Sequence, residues 1–436
     1  MTTLKGRQRA LSAFVVSMIV LTGIGVAVLY PYGGPPEAAQ QGFSGDEERF
    51  TGKILAVREV AGAPAEFLLP GAIEVSVDVV LDDGRRLTID TVDETGSMQP
   101  GKPVLVAQIS AGGTAPQFAI VDFQRGVPLS GLVVLFAVAV VALGRWQGVR
   151  ALVGLGVSAV LIIGFLVPAL LSGMNSTLVA LVTALAVMFV TLPLSHGWGM
   201  TTKAAAAGTA VALLVTVGLA VFSGEATSLT GLTSEDVQFV RFATGQEIDV
   251  RGLFLAGVIV GTLGVLDDVT VSQAATVAAL RRANPLLGQA TVFAEALRVG
   301  RDHIAATVNT LFLAYVGAAL PLLILFSIGD APIGETLTSE LVAQEIVRTM
   351  VGSIGLILAV PLTTAVAALT VDGQSASADG HAHLHHPPKP SEPVDMPVPA
   401  IPHPIAIDAD QEQVAAQEWE TSLRRSYGLR PPESDQ

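Results

Sequence analysis

Two adjacent aspartates, Asp267 and Asp268, lie inside an apolar stretch of the sequence at 252–278. A charged side chain at the centre of a membrane helix costs about 2.5–3.5 kcal/mol on insertion scales, so carboxylates there commonly mark ion or proton pathways. We therefore predict a proton or cation site at Asp268. Two structural alternatives stay open: the aspartates pair with an arginine of the next loop, or they cap a second helical segment that starts at Val269.

Small residues precede this carboxylate at helical spacing. At about 100° per residue, three glycines, a carboxylate and a hydroxyl fall within one sector of roughly 80° around the helix axis. These residues are Gly257, Gly261, Gly264, Asp268 and Ser272. Because glycine lets the backbones of two membrane helices approach closely, we predict that another helix packs on this stripe.

The next apolar stretch, at 303–328, carries further polar side chains at and just after its start. Asp302 and Asn309 are seven residues apart and should share a helix face. The amide of Asn309 would lie inside the span and must find a hydrogen-bond partner there. Thr310 and Gly317 belong to a neighbouring face of small residues, on which we predict helix packing.

A basic residue stands at the entrance to the same stretch. Arg301 is predicted to lie within reach of Asp267 or Asp268, as a partner of the carboxylates in the site. The alternative is that Arg301 is an anchor at the cytoplasmic surface, where arginine and lysine accumulate in membrane proteins.

The composition explains why these stretches are interpreted as membrane spans. Of the 436 residues, 51% are hydrophobic and only 14% are charged, against about 25% charged in soluble domains. Runs of about 18 or more apolar residues indicate transmembrane helices. We predict eight: 11–29, 127–143, 151–171, 176–194, 204–223, 252–278, 303–328 and 342–370.

The orientation follows from lysine and arginine in short loops. Basic residues precede the first predicted span and recur after the second, fourth and sixth spans, whereas the loop at 172–176 carries none. By the positive-inside rule both termini are cytoplasmic, in the inner membrane of a bacterial cell. The first span, in residues 1–29, is predicted to be an uncleaved anchor; a cleaved signal peptide is the alternative.

Residues 30–126 are predicted to form a small extracytoplasmic all-β domain, similar to an OB fold. Alternating polar and apolar residues predict five strands, at 50–58, 73–81, 86–92, 104–109 and 118–123. The Asp83-Gly84 pair between two alternating runs is a strong signal for a hairpin. The domain is interpreted either as a cap on the bundle or as a module that binds a partner.

The last 66 residues, 371–436, contain 11 acidic against 4 basic residues and much proline, so a disordered acidic cytoplasmic tail is predicted. Four histidines cluster there: His381, His383, His385 and His386. Imidazoles at this density can bind a divalent metal, which is the single cofactor considered. The alternative is a solvated low-complexity stretch.

Several functions find no support. The chain has no cysteine, which excludes disulfides and thiolate chemistry. Walker A, HExxH and GxSxG motifs are absent, so we expect no enzyme activity of those classes. With a net charge of −14 there is no basic footprint for nucleic acid. The expected partners are the lipid bilayer and envelope or cytoplasmic proteins, and the oligomeric state stays open.

Two long motifs in 249–317 resemble the YibE/F-like membrane protein family. The first matches a D-V-x-x-S element at Asp268, Val269 and Ser272, and the second a G-R-D…T-x-N-T-L-x-L-A-Y-x-G element that starts at Gly300 and includes Tyr315. The resemblance covers about residues 128–370 and implies a permease-like, multi-pass protein. Asp267 departs from the pattern by adding a second carboxylate.

Two functions are predicted from these features. The first is a permease or secondary transporter of a small solute or ion, and the second is a scaffold or sensor that binds envelope partners through the β domain. An intramembrane enzyme is a weaker third reading. The candidate transport residues are Asp267, Asp268, Ser272, Arg301, Asp302, Asn309, Thr310 and Tyr315.

Overall fold

The computed structural model describes residues 4–32, 48–60, 72–109, 117–232, 235–244, 248–329 and 332–372. Apart from residues 371 and 372, the predicted tail with its four histidines lies outside these ranges. The helices are α1 (Leu4–Val28), α2 (Gly126–Leu161), α3 (Val167–Leu171), α4 (Ser176–His196), α5 (Met200–Ala226), α6 (Glu235–Thr244), α7 (Val250–Ala283), α8 (Gln289–Ala318), α9 (Leu320–Ile328), α10 (Ile333–Thr338) and α11 (Glu340–Thr370). A π-helical turn, Ile162–Leu166, joins α2 to α3.

Five antiparallel strands form one sheet, and all five were predicted from the sequence. They are β1 (Glu48–Glu59), β2 (Ile73–Leu81), β3 (Arg86–Asp93), β4 (Pro103–Ile109) and β5 (Gln117–Phe123). The sheet order is β3-β2-β1-β4-β5. The Asp83-Gly84 turn joins β2 to β3 as predicted, because Gly84 adopts a φ of +88° that suits glycine.

The sheet curls so that the apolar side chains on its inner face are buried in one common core. Alternate residues of the strands, among them Ile54, Val75, Val77, Val104 and Val106, are 0–1% exposed. The edge strands β3 and β5 come into contact with each other. A β-bulge between Ile54 and Ala56 of β1 bends the strand and increases its twist.

A single carboxylate organises the loop after β3. Asp93 is buried, and it accepts hydrogen bonds from the backbone N–H groups of Thr95, Ser97 and Met98 at 3.0–3.2 Å. Burial alone would raise the pKa of Asp93, but these donors stabilise the charged form and hold the pKa below its usual value.

Among the described residues, six helices are long and apolar enough to cross a membrane, and the pair α8–α9, bent by 61°, makes a seventh if it counts as one span. The predicted spans 127–143 and 151–171 fall in a single helical stretch, Gly126–Leu171. Within this stretch Arg145 has a φ of 49° and a ψ of −129°, which interrupts the helix. The predicted count of eight spans therefore depends on whether the helical segments before and after Arg145 cross the membrane separately.

Three helices, α5, α7 and α11, pack most closely on one another. Alanine, glycine and threonine line their contacts, which is typical of membrane helices that associate by close approach. Gly208 of α5 lies against Thr363 of α11, and Gly355 of α11 lies against Thr216 of α5. Thr209 and Thr270 share a buried hydrogen bond of 2.6 Å between α5 and α7.

A buried glutamine connects this trio to α8. The Gln273 side-chain amide of α7 donates to the carbonyl oxygen of Ala296 and to the hydroxyl of Thr364, both at 2.7 Å. Gly300 of α8 lies against the same glutamine and against Val360 of α11. The absence of a side chain at Gly300 thus lets α8 approach both neighbours.

The predicted glycine stripe does not mediate this packing. A Cβ atom added at Gly257, Gly264 or Gly317 would meet no atom of the described chain within 4 Å, and only Gly261 has a neighbour, the Tyr315 hydroxyl at 3.3 Å. Within the described chain, the prediction that a second helix packs along the stripe is therefore wrong at Gly257 and Gly264, whereas α8 does approach the stripe at Gly261 through Tyr315. The close approaches occur at Gly208, Gly300 and Gly355 instead, on helix faces that the stripe does not include.

The packing predicts opposite results for two substitutions of the same kind. Gly300→Ala would place a Cβ 2.5 Å from the Val360 Cγ1 atom, and overpacking of this kind typically costs about 1–3 kcal/mol. Gly257→Ala, the matched control, adds its Cβ in open space. We expect a lower unfolding temperature for Gly300→Ala in detergent and an unchanged or slightly higher one for Gly257→Ala. Equal temperatures for both variants would contradict the described packing.

The Asp93 loop predicts a pH dependence. Because folding lowers the pKa of Asp93, its contribution is complete above the unfolded value of about 3.9 and disappears as the pH falls through the folded pKa. Hydrogen exchange of the Ser97 and Met98 amides, corrected for the intrinsic rate, should stay slow down to about pH 4 and accelerate below it. Asp93→Asn should accelerate exchange of these amides already at pH 7, and unchanged exchange would refute the role of the carboxylate.

Candidate functional site

A cavity of about 260 Å³ lies between α2, α4 and α7, at the middle of α7. Asp267 and Asp268 both line it. The other lining residues are Ser158, Val187, Thr191, Leu192, Ser195, His196, Leu263, Gly264 and Val271. Gly264, which was predicted to contact a helix, therefore borders open space beside the carboxylates.

The two carboxylates differ in their surroundings. Asp267 is half-buried and Asp268 is exposed. The Oδ1 atom of Asp267 is buried and has no hydrogen-bond partner among the described residues. A buried polar atom without a partner is unfavourable, so this oxygen is poised to accept a hydrogen bond or a positive charge from whatever enters the cavity.

The position of the pair along the helix is central. Seventeen residues of α7 precede Asp267 and sixteen follow it, since the helix runs from Val250 to Ala283. At 1.5 Å per residue the carboxylates lie about 25 Å from either end. A hydrocarbon core is about 30 Å thick, so a span centred on α7 has this pair near its middle.

Hydroxyl groups complete the polar lining of the cavity. Ser158 and Thr191 donate their hydroxyl protons to the carbonyl oxygens of Gly154 and Val187, each at 2.9 Å. Because their protons are engaged by the backbone, these hydroxyls present lone pairs to the cavity. The lining is therefore rich in acceptors and suits a proton, a hydrated cation or an ammonium group better than an anion.

A resident metal ion finds no ligand cage there. In the ranges that the structure describes, no three His, Cys, Asp or Glu side chains converge as a metal site would require. The predicted metal ligands of the tail, His381, His383, His385 and His386, lie outside those ranges, and their role stays a prediction.

Both structural alternatives for the aspartates disagree with the geometry. Helix α7 continues from Val250 to Ala283 without a break, so the aspartates do not cap a segment that begins at Val269. No ion pair joins either carboxylate to a basic residue of the described chain. The prediction that Arg301 reaches the carboxylates is therefore wrong in this structure, where Arg301 is exposed.

The polar side chains predicted on α8 do not line the cavity. Asp302, Asn309 and Thr310 are exposed to the surroundings of the bundle. The Thr310 hydroxyl donates to the Ala306 carbonyl oxygen at 3.0 Å, whereas the Asn309 amide makes no hydrogen bond within the described ranges. Their common face exists as predicted, but it lies away from Asp267 because α8 packs on α11 as well as on α7.

Two further candidates have local roles. The Ser272 hydroxyl donates to the Val269 carbonyl oxygen at 3.0 Å, within its own helix. The Tyr315 hydroxyl of α8 lies 3.3 Å from the position that a Cβ atom on residue 261 would take, so Gly261 leaves space for this hydroxyl. Neither side chain lines the cavity.

The cavity residues outside the set of candidate transport residues come mainly from α4. Thr191, Ser195 and His196 lie within one and a half turns, at the end of α4 and next to Pro193. This clustering of polar residues at the end of an apolar stretch is visible in the sequence, but nothing in it shows that this end of α4 meets the middle of α7.

A second, smaller cavity of about 160 Å³ adjoins the first, since His196 and Val271 line both. It lies where α5 begins and α7 approaches its end. Its other lining residues are Thr201, Thr202, Ala205, Ala275, Ala278 and Arg282.

The helices and the central carboxylates indicate a multi-pass membrane protein whose polar groups converge inside a helical bundle. Residues 132–373, more than half of the chain, match the YibE/F-like protein family. The chain belongs to this family, as its motifs predicted. No curated protein and no solved structure matches the chain.

The absence of cysteine from the chain allows a direct test of the cavity. Ser195→Cys places a thiol on the lining, whereas Val258→Cys places one at a fully buried position of α7. Because the thiolate is the reactive form and needs water, we expect a water-soluble methanethiosulfonate to modify Ser195→Cys more than tenfold faster. Similar slow rates for both variants would show that the cavity is closed to water.

Proposed function

We propose that the protein is a permease or secondary transporter of a small solute or ion and that Asp267 carries the coupling proton. The observation that carries this proposal is the buried, unpartnered Oδ1 atom of Asp267 at the wall of a cavity in the middle of α7. Membrane transporters place their ionisable coupling residues at this depth, facing a cavity rather than lipid.

The energetics favour a residue that exchanges a positive charge. An ionised carboxylate in an apolar environment is costly unless it is paired, and no described basic side chain pairs with Asp267. A bound proton removes the charge, and a bound cation compensates it. Because the adjoining Asp268 is exposed, it can relay the proton between Asp267 and the water of the cavity.

The topology that we propose for this function has eight crossings. Counting the helix on either side of Arg145 separately, and the bent pair α8–α9 as one span, gives eight from the helices listed above. Even parity and the basic loops favour cytoplasmic termini in a bacterial inner membrane. The β domain would then be extracytoplasmic.

We also propose that the β domain is OB-like. The order β3-β2-β1-β4-β5, with β3 and β5 in contact, is the arrangement of a five-stranded sheet that closes on itself. On this domain the guanidinium of Arg85 lies 4.4 Å from the centroid of the Phe50 ring and 5.9 Å from that of Phe118. Arg85 is exposed, whereas both rings are half-buried against the core of the sheet. This exposed cation, held over two aromatic rings, supports the second candidate function, a sensor or scaffold that binds an envelope partner through the β domain.

A transport assay distinguishes the transporter from the scaffold or sensor. The purified chain is reconstituted into liposomes that contain a pH-sensitive dye, and gradients of small amines, amino acids, organic acids and inorganic ions are applied in turn. We expect at least one solute to drive proton movement that Asp267→Asn lowers more than tenfold. Asp302→Asn, an exposed acid of α8 outside the cavity, is the matched control and should retain the wild-type rate.

A carbodiimide supplies a test that needs no knowledge of the solute, because it attacks protonated carboxyl groups in apolar sites. We expect modification of Asp267 in the wild type and in Asp302→Asn, detected by mass spectrometry, with less product as the pH rises. A wild type that neither moves protons with any solute nor reacts with the carbodiimide at Asp267 would favour the scaffold instead.

A further inference from the structure

The smaller cavity differs from the larger one, which Asp267 and Asp268 line, in the sign of the charge on its lining residues. No Asp or Glu is among its described lining residues, whereas Arg282 and His196 both are. Asp268 precedes Arg282 by fourteen residues on α7, so about 21 Å of helix axis separates them. The two cavities therefore join an acidic region at the middle of α7 to a basic region near its end.

The first turn of α5 borders the basic cavity. This helix is 27 residues long and begins at Met200, after Gly199, whose lack of a side chain leaves the N-terminus without a side-chain cap. The N–H groups of the first turn have no intrahelical acceptor, and the helix dipole gives this end a partial positive charge. Together these properties favour an anion at a helix N-terminus.

An independent observation points to a ligand at this place. Thr202, on the first turn of α5, is only 7% exposed, and it lines the cavity. Within the described ranges, no hydrogen bond involves its hydroxyl. Its hydroxyl oxygen is not among the fully buried atoms that lack a partner, so the hydroxyl of this otherwise buried side chain is open to the cavity and can donate to an acceptor there.

We propose that this cavity binds an oxyanion, with Arg282, the Thr202 hydroxyl and the N–H groups at the start of α5 as its donors. Phosphate, sulfate and carboxylate share this chemistry, because guanidinium binds them in a charge-assisted, often bidentate geometry. The volume of about 160 Å³ is several times the roughly 30 Å³ that one water molecule takes up in the liquid, so a small oxyanion fits. His196 lies at the junction with the acidic cavity and adds a further donor.

The proposal is independent of the proposed transport function, since it concerns binding alone. The ligand group is either a soluble anion or the phosphate of a lipid headgroup, because α5 begins and α7 ends at the same end of the bundle. The position of Trp198 next to this turn, with 58% of its surface exposed, supplies a fluorescent reporter. Replacing Trp146 and Trp419 by phenylalanine leaves Trp198 as the single tryptophan of the full chain.

The test is a titration of this full-length protein in dodecyl maltoside with sodium sulfate at constant ionic strength. We expect a saturable change of Trp198 fluorescence. Arg282→Gln should weaken sulfate binding at least tenfold and Thr202→Val at least threefold, while Thr202→Ser, which restores the hydroxyl, should bind as the wild type does. Arg298→Gln is the matched control, because Arg298 is an exposed arginine paired with Glu295 outside the cavity.

Size-exclusion profiles and circular dichroism establish that each variant is folded before it is compared. A short-chain phosphatidylglycerol is then added to the sulfate titration. Competition by the lipid assigns the site to a headgroup phosphate, and its absence assigns the site to a soluble anion. The absence of saturable binding in the wild type, or equal affinities for folded Arg282→Gln, Thr202→Val and Arg298→Gln, would overturn the proposal.

Discussion

The close approach of α5, α7 and α11 is the constraint on which the rest of the bundle depends. Lipid is as apolar as a leucine side chain, so these helices gain little from hydrophobic burial and must attract one another by contact between backbones. Gly208 and Gly355 provide the space for that contact, and threonine side chains of the facing helices occupy it. Thr216, which faces Gly355, donates its hydroxyl proton to the Ala212 carbonyl oxygen four residues earlier, whereas the buried hydroxyl of Thr363, which faces Gly208, has no partner among the described residues.

This packing also determines which side of α7 meets the cavity. Thr270 is hydrogen-bonded to α5 and Gln273 to α8 and α11, so the rotation of α7 about its axis is restricted by polar contacts on two sides. Asp267 then faces α4 and α2, where no large side chain fills the space. The position of the carboxylate is thus a consequence of contacts made by other residues of the same helix.

The two cavities form a path of changing charge along α7. Acceptors surround Asp267 and Asp268, and donors surround the start of α5, with His196 at the junction. Such a separation of charge inside a bundle is costly to build, because polar groups in an apolar medium need partners. A proton bound at Asp267 and an oxyanion bound beside Thr202 would each add a partner for a side chain that has none in the described chain.

The properties that the sequence alone determined are those that depend on neighbours along the chain. Alternation of polar and apolar residues predicted all five strands, and the Asp83-Gly84 turn predicted their first hairpin, because a strand face and a tight turn are local features. Runs of apolar residues likewise predicted the helices, and the long motifs predicted the family. The carboxylate pair could be recognised because a charged residue within an apolar run is evident from the sequence, whichever way the helix faces.

Only the tertiary structure decided which faces of the helices meet. The spans are apolar all round, so their sequences contain little information about rotation, and the stripe at Gly257 and Gly264 resembled a packing face as much as Gly208 or Gly300 did. Arg301 was expected near Asp267 from its place at the entrance to the next span, yet α8 leaves it exposed. The cavity joins residues of α2, α4 and α7 that are far apart in sequence, and its existence depends on an interhelical geometry that no local pattern encodes.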